Sequence, residues 1–155
     1  MSKRLLFALL AASLTVTPAI AAEEGVPYWA SIRASEVNMR VGPGEDYRIN
    51  WVYRRPHLPM KVLRTMEGWR LVQDPDGARG WMLARFLSRE RGAIVRGNGL
   101  AEMREKGDDE ARVLWKLRPG VVGKLGDCKE AWCRFEVGGH TGFIPQDRVW
   151  GAGEP

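Results

Sequence analysis

Four residues of this chain carry side chains suited to nucleophilic or metal chemistry: Cys128, Cys133, His57 and His140. A Cys–His nucleophile pair requires a free thiol, an adjacent imidazole and a group that orients the imidazole. His140 follows Cys133 closely enough to approach it across a hairpin. Two thiols with scattered histidines make a poor metal site, and the two cysteines are not spaced as C-x-x-C. The redox state of the cysteines therefore decides whether this chemistry is available.

The first residues of the chain have the features of an export signal. Lys3 and Arg4 precede an apolar stretch over residues 5–16, which is too short to span a bilayer as a helix. Ala19-Ile20-Ala21 supplies the small residues of a cleavage site. We therefore predict that residues 1–21 are a signal peptide, and that the mature protein has no stable membrane insertion.

In an oxidising compartment the two cysteines are expected to form a disulfide. The four residues between them suit the tip of a hairpin, where residues on opposite strands come within bridging distance. The corresponding positions of an internal repeat described below are Thr65 and Arg70, so only one copy would be cross-linked. A redox or metal-binding pair is the alternative.

No other pattern in the sequence argues for catalysis. Asp74-Pro75-Asp76-Gly77 resembles part of a calcium loop but lacks the remaining ligands and the closing Glu, so it is interpreted as a turn. There is no phosphate-binding glycine-rich loop in the sequence. We predict a non-enzymatic protein with no catalytic residues, metal or cofactor.

The charge of the chain is mildly basic. Removal of Lys3 and Arg4 leaves 22 basic against 19 acidic residues, a charge of +3, which is too small to indicate nucleic-acid binding. Arg85, Arg89, Arg91 and Arg96 form a local basic stretch in the middle of the chain. This stretch is either a solvated linker face or a surface attracted to an anionic wall or membrane.

The sequence contains two copies of one module. Trp69 recurs as Trp132, 63 residues later, and Gly80-Trp81 recurs as Gly142-Phe143 at nearly the same spacing. Two copies of about sixty residues fill the mature chain, and a period this long favours tandem domains over a stacked solenoid. We predict domains at residues 28–88 and 91–150, joined near residues 88–92 and packed against each other.

Short apolar runs separated by Gly, Pro and Asp turns predict an all-β fold. The predicted strands of the first copy are residues 37–41, 49–53, 60–65, 69–73 and 79–83, and those of the second are 100–104, 113–117, 121–128, 132–137 and 141–144. Many short strands with frequent turns predict two tandem SH3-like β-barrels after the signal peptide. Met39, Met60, Met82 and Met103 are predicted to fill the cores.

Several motifs of the first copy resemble the bacterial SH3-like (SH3b) family. They are Val37-Asn38-Met39-Arg40-Val41-Gly42-Pro43-Gly44, then Tyr47, Gly68-Trp69 and Gly80-Trp81. The second copy keeps Trp132 and Gly142-Phe143 but has Glu105-Lys106-Gly107 in place of the Gly-Pro turn and no equivalent Tyr. The resemblance is to a tandem form found in secreted proteins of Gram-negative bacteria. It implies a periplasmic or secreted protein that binds peptidoglycan or another wall-associated ligand.

Aromatic residues indicate where such a ligand would bind, because all seven tryptophans lie in the mature chain and small barrels cannot bury so many. The predicted ligand-binding residues are Arg40, Asp46, Tyr47, Trp51 and Trp69, placed in one groove of the first copy. In the second copy Trp115, Trp132 and Trp150 are expected to pack against the first barrel. Alternatively, the protein is an interaction scaffold that recruits or regulates an envelope enzyme, or a wall hydrolase with an unrecognised site.

Overall fold

The computed structural model describes residues 25–155, which form two antiparallel sheets of seven strands each. The predicted signal peptide lies outside the described residues. The prediction of an all-β protein with two tandem SH3-like barrels is confirmed. Within residues 25–155 there is no helix with the length and apolar character needed to cross a membrane.

The two sheets have the same strand order. The first contains β1 (Tyr28–Ile32), β2 (Val37–Arg40), β3 (Ile49–Tyr53), β4 (Pro59–Met66), β5 (Trp69–Gln73), β6 (Arg79–Leu83) and, after the 3₁₀ turn Ala84–Phe86, β7 (Leu87–Ser88). The second contains β8 (Gly92–Val95), β9 (Ala101–Arg104), β10 (Val113–Leu117), β11 (Val122–Lys129), β12 (Trp132–Val137), β13 (His140–Pro145) and, after the 3₁₀ turn Gln146–Arg148, β14 (Val149–Trp150). The orders are β3-β2-β6-β5-β4-β1-β7 and β10-β9-β13-β12-β11-β8-β14.

Strand alternation determines which side chains enter each core. Met39, Met60 and Met82 are fully buried in the first core, and Met103 is fully buried in the second, as predicted. The sequence prediction omitted β1 and β8, whose runs Tyr-Trp-Ala-Ser-Ile and Gly-Ala-Ile-Val do not alternate between apolar and polar residues. Both strands pair with a long central strand, β1 with β4 and β8 with β11.

The disulfide predicted from the sequence is present. Cys128 on β11 and Cys133 on β12 lie directly opposite each other and are bonded through their sulfur atoms. In the first barrel the equivalent positions on β4 and β5 are Thr65 and Arg70, which are also directly paired. The two hairpins therefore share one register, and only the second has a covalent link.

The two barrels pack against each other, as the short join predicts. Ile94 and Val122 of the second barrel contact the core of the first. Trp29 of β1 and Trp150 of β14 meet edge to face with their ring centroids 4.7 Å apart, a geometry that aromatic rings favour. Gly92 lies so close to the carbonyl of His57 that a Cβ would clash there. The absence of a side chain at Gly92 therefore allows this close approach.

Three tryptophans of the second barrel were expected at this interface, and a ring contact across it is observed for one of them. Trp150 contacts the first barrel, whereas the ring of Trp115 lies 4.1 Å from that of His140 within the second barrel. Trp132 lines a cleft of its own barrel. Trp115 is on the edge strand β10 and 44% exposed, so the expectation that it packs against the first barrel is wrong.

Candidate functional site

Hydrogen bonds close the loop between β2 and β3. Arg40 donates from Nη1 to the carbonyl of Tyr47 over 2.6 Å. The amide of Val41 donates to the carbonyl of Arg48 over 3.1 Å, and the amide of Tyr47 donates to the carbonyl of Gly44 over 3.3 Å. These bonds hold the loop against the end of β2, so the side chains on the loop have defined positions.

Tyr47 is placed by two glycines of this loop. Its ring lies directly against Gly42, where an added Cβ would clash with it, and also contacts Gly44. The other face of Tyr47 is open, since the residue is 50% exposed. An exposed aromatic ring with a polar tip is suited to ligand contact.

A cleft of about 250 Å³ opens beside the loop, and we call it the first-barrel cleft. Its lining residues are Asn38, Arg40, Glu45, Trp69, Leu83, Arg85 and Phe86. Paired residues of an antiparallel sheet lie on the same face, and Val72 and Met82 face the core. Because successive side chains of a strand alternate between the two faces, Trp69 and its partner Leu83 lie on the outer face of the sheet. Arg40 and its partner Trp81 lie on the same outer face.

The structure brings part of the predicted ligand-binding set together. Arg40 and Trp69 line the same cleft, and Tyr47 is joined to Arg40 through its carbonyl. Trp51 is 54% exposed and lies opposite Met39, which faces the core, so Trp51 is on the other face of the sheet from Arg40. Asp46 is an exposed residue of the loop. That Trp51 and Asp46 contact a ligand stays a prediction.

Sequence reasoning did not include Arg85 and Phe86 in this cleft. Both belong to the 3₁₀ turn after β6, and the Arg85 guanidinium carbon lies 4.9 Å from the centroid of the Phe86 ring. The sequence indicated the turn itself, but only the fold brings it beside Arg40 and Trp69. The cleft thus combines two arginines with two aromatic rings.

The second barrel has an equivalent loop with different side chains. Arg104 donates from Nη1 to the carbonyl of Ala111 over 2.7 Å, and the amide of Glu105 donates to the carbonyl of Arg112 over 3.0 Å. Ala111 thus takes the place of Tyr47. Lys106 takes the place of Gly42. The amide of Asp108 donates to the carbonyl of Lys106, just as the amide of Gly44 donates to the carbonyl of Gly42. The loop backbone is retained while its aromatic residue is lost.

The two arginines that support these loops differ in electrostatic environment. Arg104 is 2.5 Å from Glu102, which neutralises its charge locally. Asn38 occupies the position of Glu102 in the first barrel, and among residues 25–155 no carboxylate forms an ion pair with Arg40. Arg40 can therefore interact with an incoming anion.

The cleft of the second barrel is lined differently. It measures about 360 Å³, and its lining residues are Gly107, Asp127, Lys129, Glu130, Trp132, Arg134 and Phe143. Trp132 and Phe143 correspond to Trp69 and Trp81. In the 3₁₀ turn that follows β13, Asp147 stands where the first barrel has Arg85. In the lining itself, Asp127 and Glu130 stand against Lys129 and Arg134, so the cleft of the second barrel is of mixed charge with no excess of either sign.

A partly buried hydrogen bond connects β3 to the turn after β5. Tyr53 donates its hydroxyl to Asp74 Oδ2 over 2.8 Å, and Asp74 Oδ1 accepts from the amides of Asp76 and Ala78. Burial, and then the hydrogen bond to Asp74, raise the pKa of Tyr53. The Asp74–Gly77 segment is thus a structural turn, as predicted, and residues 25–155 contain no cluster of three or more His, Cys, Asp or Glu arranged to hold a metal ion.

Comparison with known protein families agrees with this architecture. The bacterial SH3 domain family matches residues 33–88 and 98–151, which together make up more than half of the chain. The chain therefore belongs to the bacterial SH3 domain family, with two copies of the domain in tandem.

One curated relative is a Bacillus subtilis (strain 168) protein, YrvJ, named as a putative N-acetylmuramoyl-L-alanine amidase. It is 22% identical over 134 residues, which cover 80% of this chain and 26% of YrvJ. The chain thus spans about a quarter of the length of that relative.

Two solved structures are also similar to parts of the chain. NlpC2 from Trichomonas vaginalis has a TM-score of 0.36 at 11% identity, covering 83% of this chain and 49% of that one. An NlpC/P60 family protein from Bacillus cereus ATCC 10987 has a TM-score of 0.35 at 11% identity, covering 79% and 56%. TM-scores this low support no argument about this protein.

Proposed function

We propose that this protein is a non-catalytic module of the bacterial envelope that binds peptidoglycan through the first-barrel cleft. Its membership of the bacterial SH3 domain family supports this proposal, as does its similarity to part of YrvJ, whose name refers to a bond of the wall polymer. The proposed location is the periplasm, with secretion as the alternative destination. Fractionation of cells that express the full chain tests the location.

The observation that carries the proposal is the composition of the first-barrel cleft. Arg40 and Arg85 supply two guanidinium groups against the one carboxylate of Glu45, and Phe86 and the largely buried Trp69 supply apolar ring surface. The peptide stems of peptidoglycan carry free carboxylates on a short, partly apolar chain. Arginine binds a carboxylate through two parallel hydrogen bonds, and aromatic rings supply contact area at low entropic cost. A wall peptide therefore matches both features of the cleft.

Tyr47 extends this cleft to the loop. Its exposed ring lies on the loop that Arg40 holds in place. We propose that Tyr47 contacts the ligand beside Arg40, and that Asp46 pairs with an amine of the wall peptide. Trp51, on the other face, is expected to contact a longer stretch of polymer that passes over the β3 edge.

The first experiment is co-sedimentation of residues 22–155 with isolated peptidoglycan sacculi. The informative variant is Arg85→Asp, because it places in the first barrel the residue that the second barrel has at this position. Arg85 is exposed, so this change leaves the core intact. We expect wild-type protein to pellet and Arg85→Asp to pellet several-fold less.

Asp147→Arg is the matched control, since it makes the opposite change at the equivalent position of the second barrel. It should pellet at least as well as wild type. Equal pelleting of all three proteins would exclude the first-barrel cleft as the site. Failure of wild type to pellet at any ionic strength would remove the wall polymer as the ligand.

A second candidate function, a scaffold for an envelope protein, is favoured by the edge strand β3. Ile49, Trp51 and Val52 are 41%, 54% and 40% exposed, although they lie on one short strand. An exposed apolar edge strand can pair with an extended segment of another protein. Copurification of one envelope protein with wild type but not with Trp51→Ala, while sacculus binding is absent, would favour this function.

A further inference from the structure

A third cleft, larger than the two already described, lies where the two barrels meet. It measures about 610 Å³, and its walls include Tyr28, Trp29, Arg89, Arg91, Gly153 and Glu154. Its shape is held by the indole of Trp29, which donates to the carbonyl of Gly153 over 2.9 Å while its ring contacts Trp150. We call this the junction cleft. It exists only in the assembled pair of barrels.

Arg89 stacks on the ring of Tyr28 in the wall of this cleft. Its guanidinium carbon lies 3.3 Å from the centroid of the Tyr28 ring. A guanidinium stacked on a ring keeps its N–H groups in the plane, free to donate sideways. Arg70 donates from Nε to the hydroxyl of the same Tyr28 over 3.1 Å and lines an adjoining cleft of about 180 Å³ together with Arg89.

Arg91 lies deeper in the cleft. Its Nη2 donates to the carbonyls of Gly151 and Gly153 over 2.6 and 3.1 Å. Its Nε is buried and has no hydrogen-bond partner within residues 25–155. Burial lowers the pKa of Arg91, and the nearby Glu154 opposes this shift. An arginine remains charged even so, and its buried, unpartnered Nε–H is costly.

The charges in this region do not cancel. None of Arg70, Arg89 and Arg91 forms an ion pair with a carboxylate in the described part of the chain. Among residues 25–155, Glu154 is the one acidic residue in the lining of the junction cleft, and it is exposed, so water screens its charge. Arg89 and Arg91 in this cleft, with Arg70 in the adjoining one, therefore leave a positive potential here.

We propose that the junction cleft is a second binding site, which takes an oxyanion, either a carboxylate or a phosphate, between Arg89 and Arg91. The planar donor groups of the two arginines match the paired oxygens of such an anion. Arg70 adds positive charge from the adjoining cleft. The site is separate from the first-barrel cleft and does not depend on its proposed function.

The test is a titration of residues 22–155 followed by two-dimensional ¹H–¹⁵N NMR. Inorganic phosphate and acetate are added separately at constant ionic strength, with sodium chloride as the reference. The indole N–H of Trp29 and the Nε–H groups of the arginines report on the cleft. We expect saturable shifts confined to this region, and we expect Arg89→Gln to raise the dissociation constant about fivefold or more.

Arg79→Gln is the control, because Arg79 is exposed on β6, donates to the side chain of Gln73, and does not line the junction cleft or the adjoining cleft. It should bind like wild type, and thermal unfolding checks that both variants are folded. Saturation by both anions indicates a general oxyanion site, and saturation by phosphate alone indicates a phosphate-ester ligand. Shifts that sodium chloride reproduces, or a folded Arg89→Gln protein that binds unchanged, would overturn the proposal. Arg85→Asp should leave this titration unaffected, which separates the site from the first-barrel cleft.

Discussion

The two barrels share one backbone plan and differ in what their outer faces present. In both, an arginine at the end of a strand donates to a loop carbonyl, Arg40 to Tyr47 and Arg104 to Ala111, at nearly equal distances. In the first barrel the loop carries an exposed tyrosine, and no carboxylate of the described residues pairs with the arginine. In the second barrel the tyrosine is an alanine and the arginine is neutralised by Glu102. A repeat can therefore keep its fold while only one copy keeps the groups that suit binding.

The largest expected difference between the barrels concerns the paired tryptophans Trp69 and Trp132. Trp69 is only 9% exposed, whereas Trp132 is partly exposed. Trp69→Ala should lower the free energy of unfolding by about 3 kcal/mol, since it removes a large buried side chain, and Trp132→Ala by about half as much. Denaturant unfolding followed by circular dichroism measures both. Equal losses would show that the two clefts are packed alike.

The disulfide gives the next largest difference. Replacing both Cys128 and Cys133 with Ala should lower the stability of the second barrel by about 2 kcal/mol, because the closed loop is short. Hydrogen exchange should speed up in the β11–β12 hairpin. The β4–β5 hairpin, where Thr65 faces Arg70, serves as the internal control and should exchange as before. Acceleration in both hairpins would mean that the barrels unfold as one unit.

The loop glycine tests how the first barrel positions Tyr47. Gly42→Ala should destabilise the protein by about 1–2 kcal/mol, because the added methyl group clashes with the Tyr47 ring. Lys106→Ala, at the equivalent position of the second loop, should change stability by less than about 0.5 kcal/mol. Thermal unfolding compares the two variants. A neutral Gly42→Ala change would show that the Tyr47 ring is not held by this contact.

The smallest difference appears at alkaline pH. The pKa of Tyr53 is raised in the folded protein above the value of about 10 in the unfolded chain, so the unfolded state releases the proton first. The stability from Tyr53 is therefore complete below about pH 10 and declines as pH rises above it. Leu117 occupies the equivalent position of β10 and cannot titrate.

Unfolding of wild type and Tyr53→Phe from pH 8 to 11 measures this effect. At pH 8 the variant should be less stable by about 1 kcal/mol, since Asp74 loses a hydrogen-bond donor. The gap should narrow as pH rises. A constant gap would show that the pKa of Tyr53 is the same in the folded and unfolded states.

Strand positions were largely predictable because period-two alternation and turn residues are local properties. Predicted residues 49–53, 69–73 and 79–83 agree with β3, β5 and β6 as observed. The strands β1 and β8 were missed because they lie at the junction, where neither strand face is left to solvent, so polar residues do not alternate with apolar ones. Burial by a second domain is not visible in a local pattern.

By itself, the sequence determined the repeat, the all-β class, the methionines of the cores and the pairing of Cys128 with Cys133. Each of these follows from residue type and spacing along a short stretch of chain. Only the tertiary structure decided that Arg85 joins Arg40 and Trp69, that Trp51 lies on the opposite face, and that Arg89 stacks on Tyr28. These contacts join residues far apart in the chain or depend on the face that a strand presents, and the register and packing of the sheets set them.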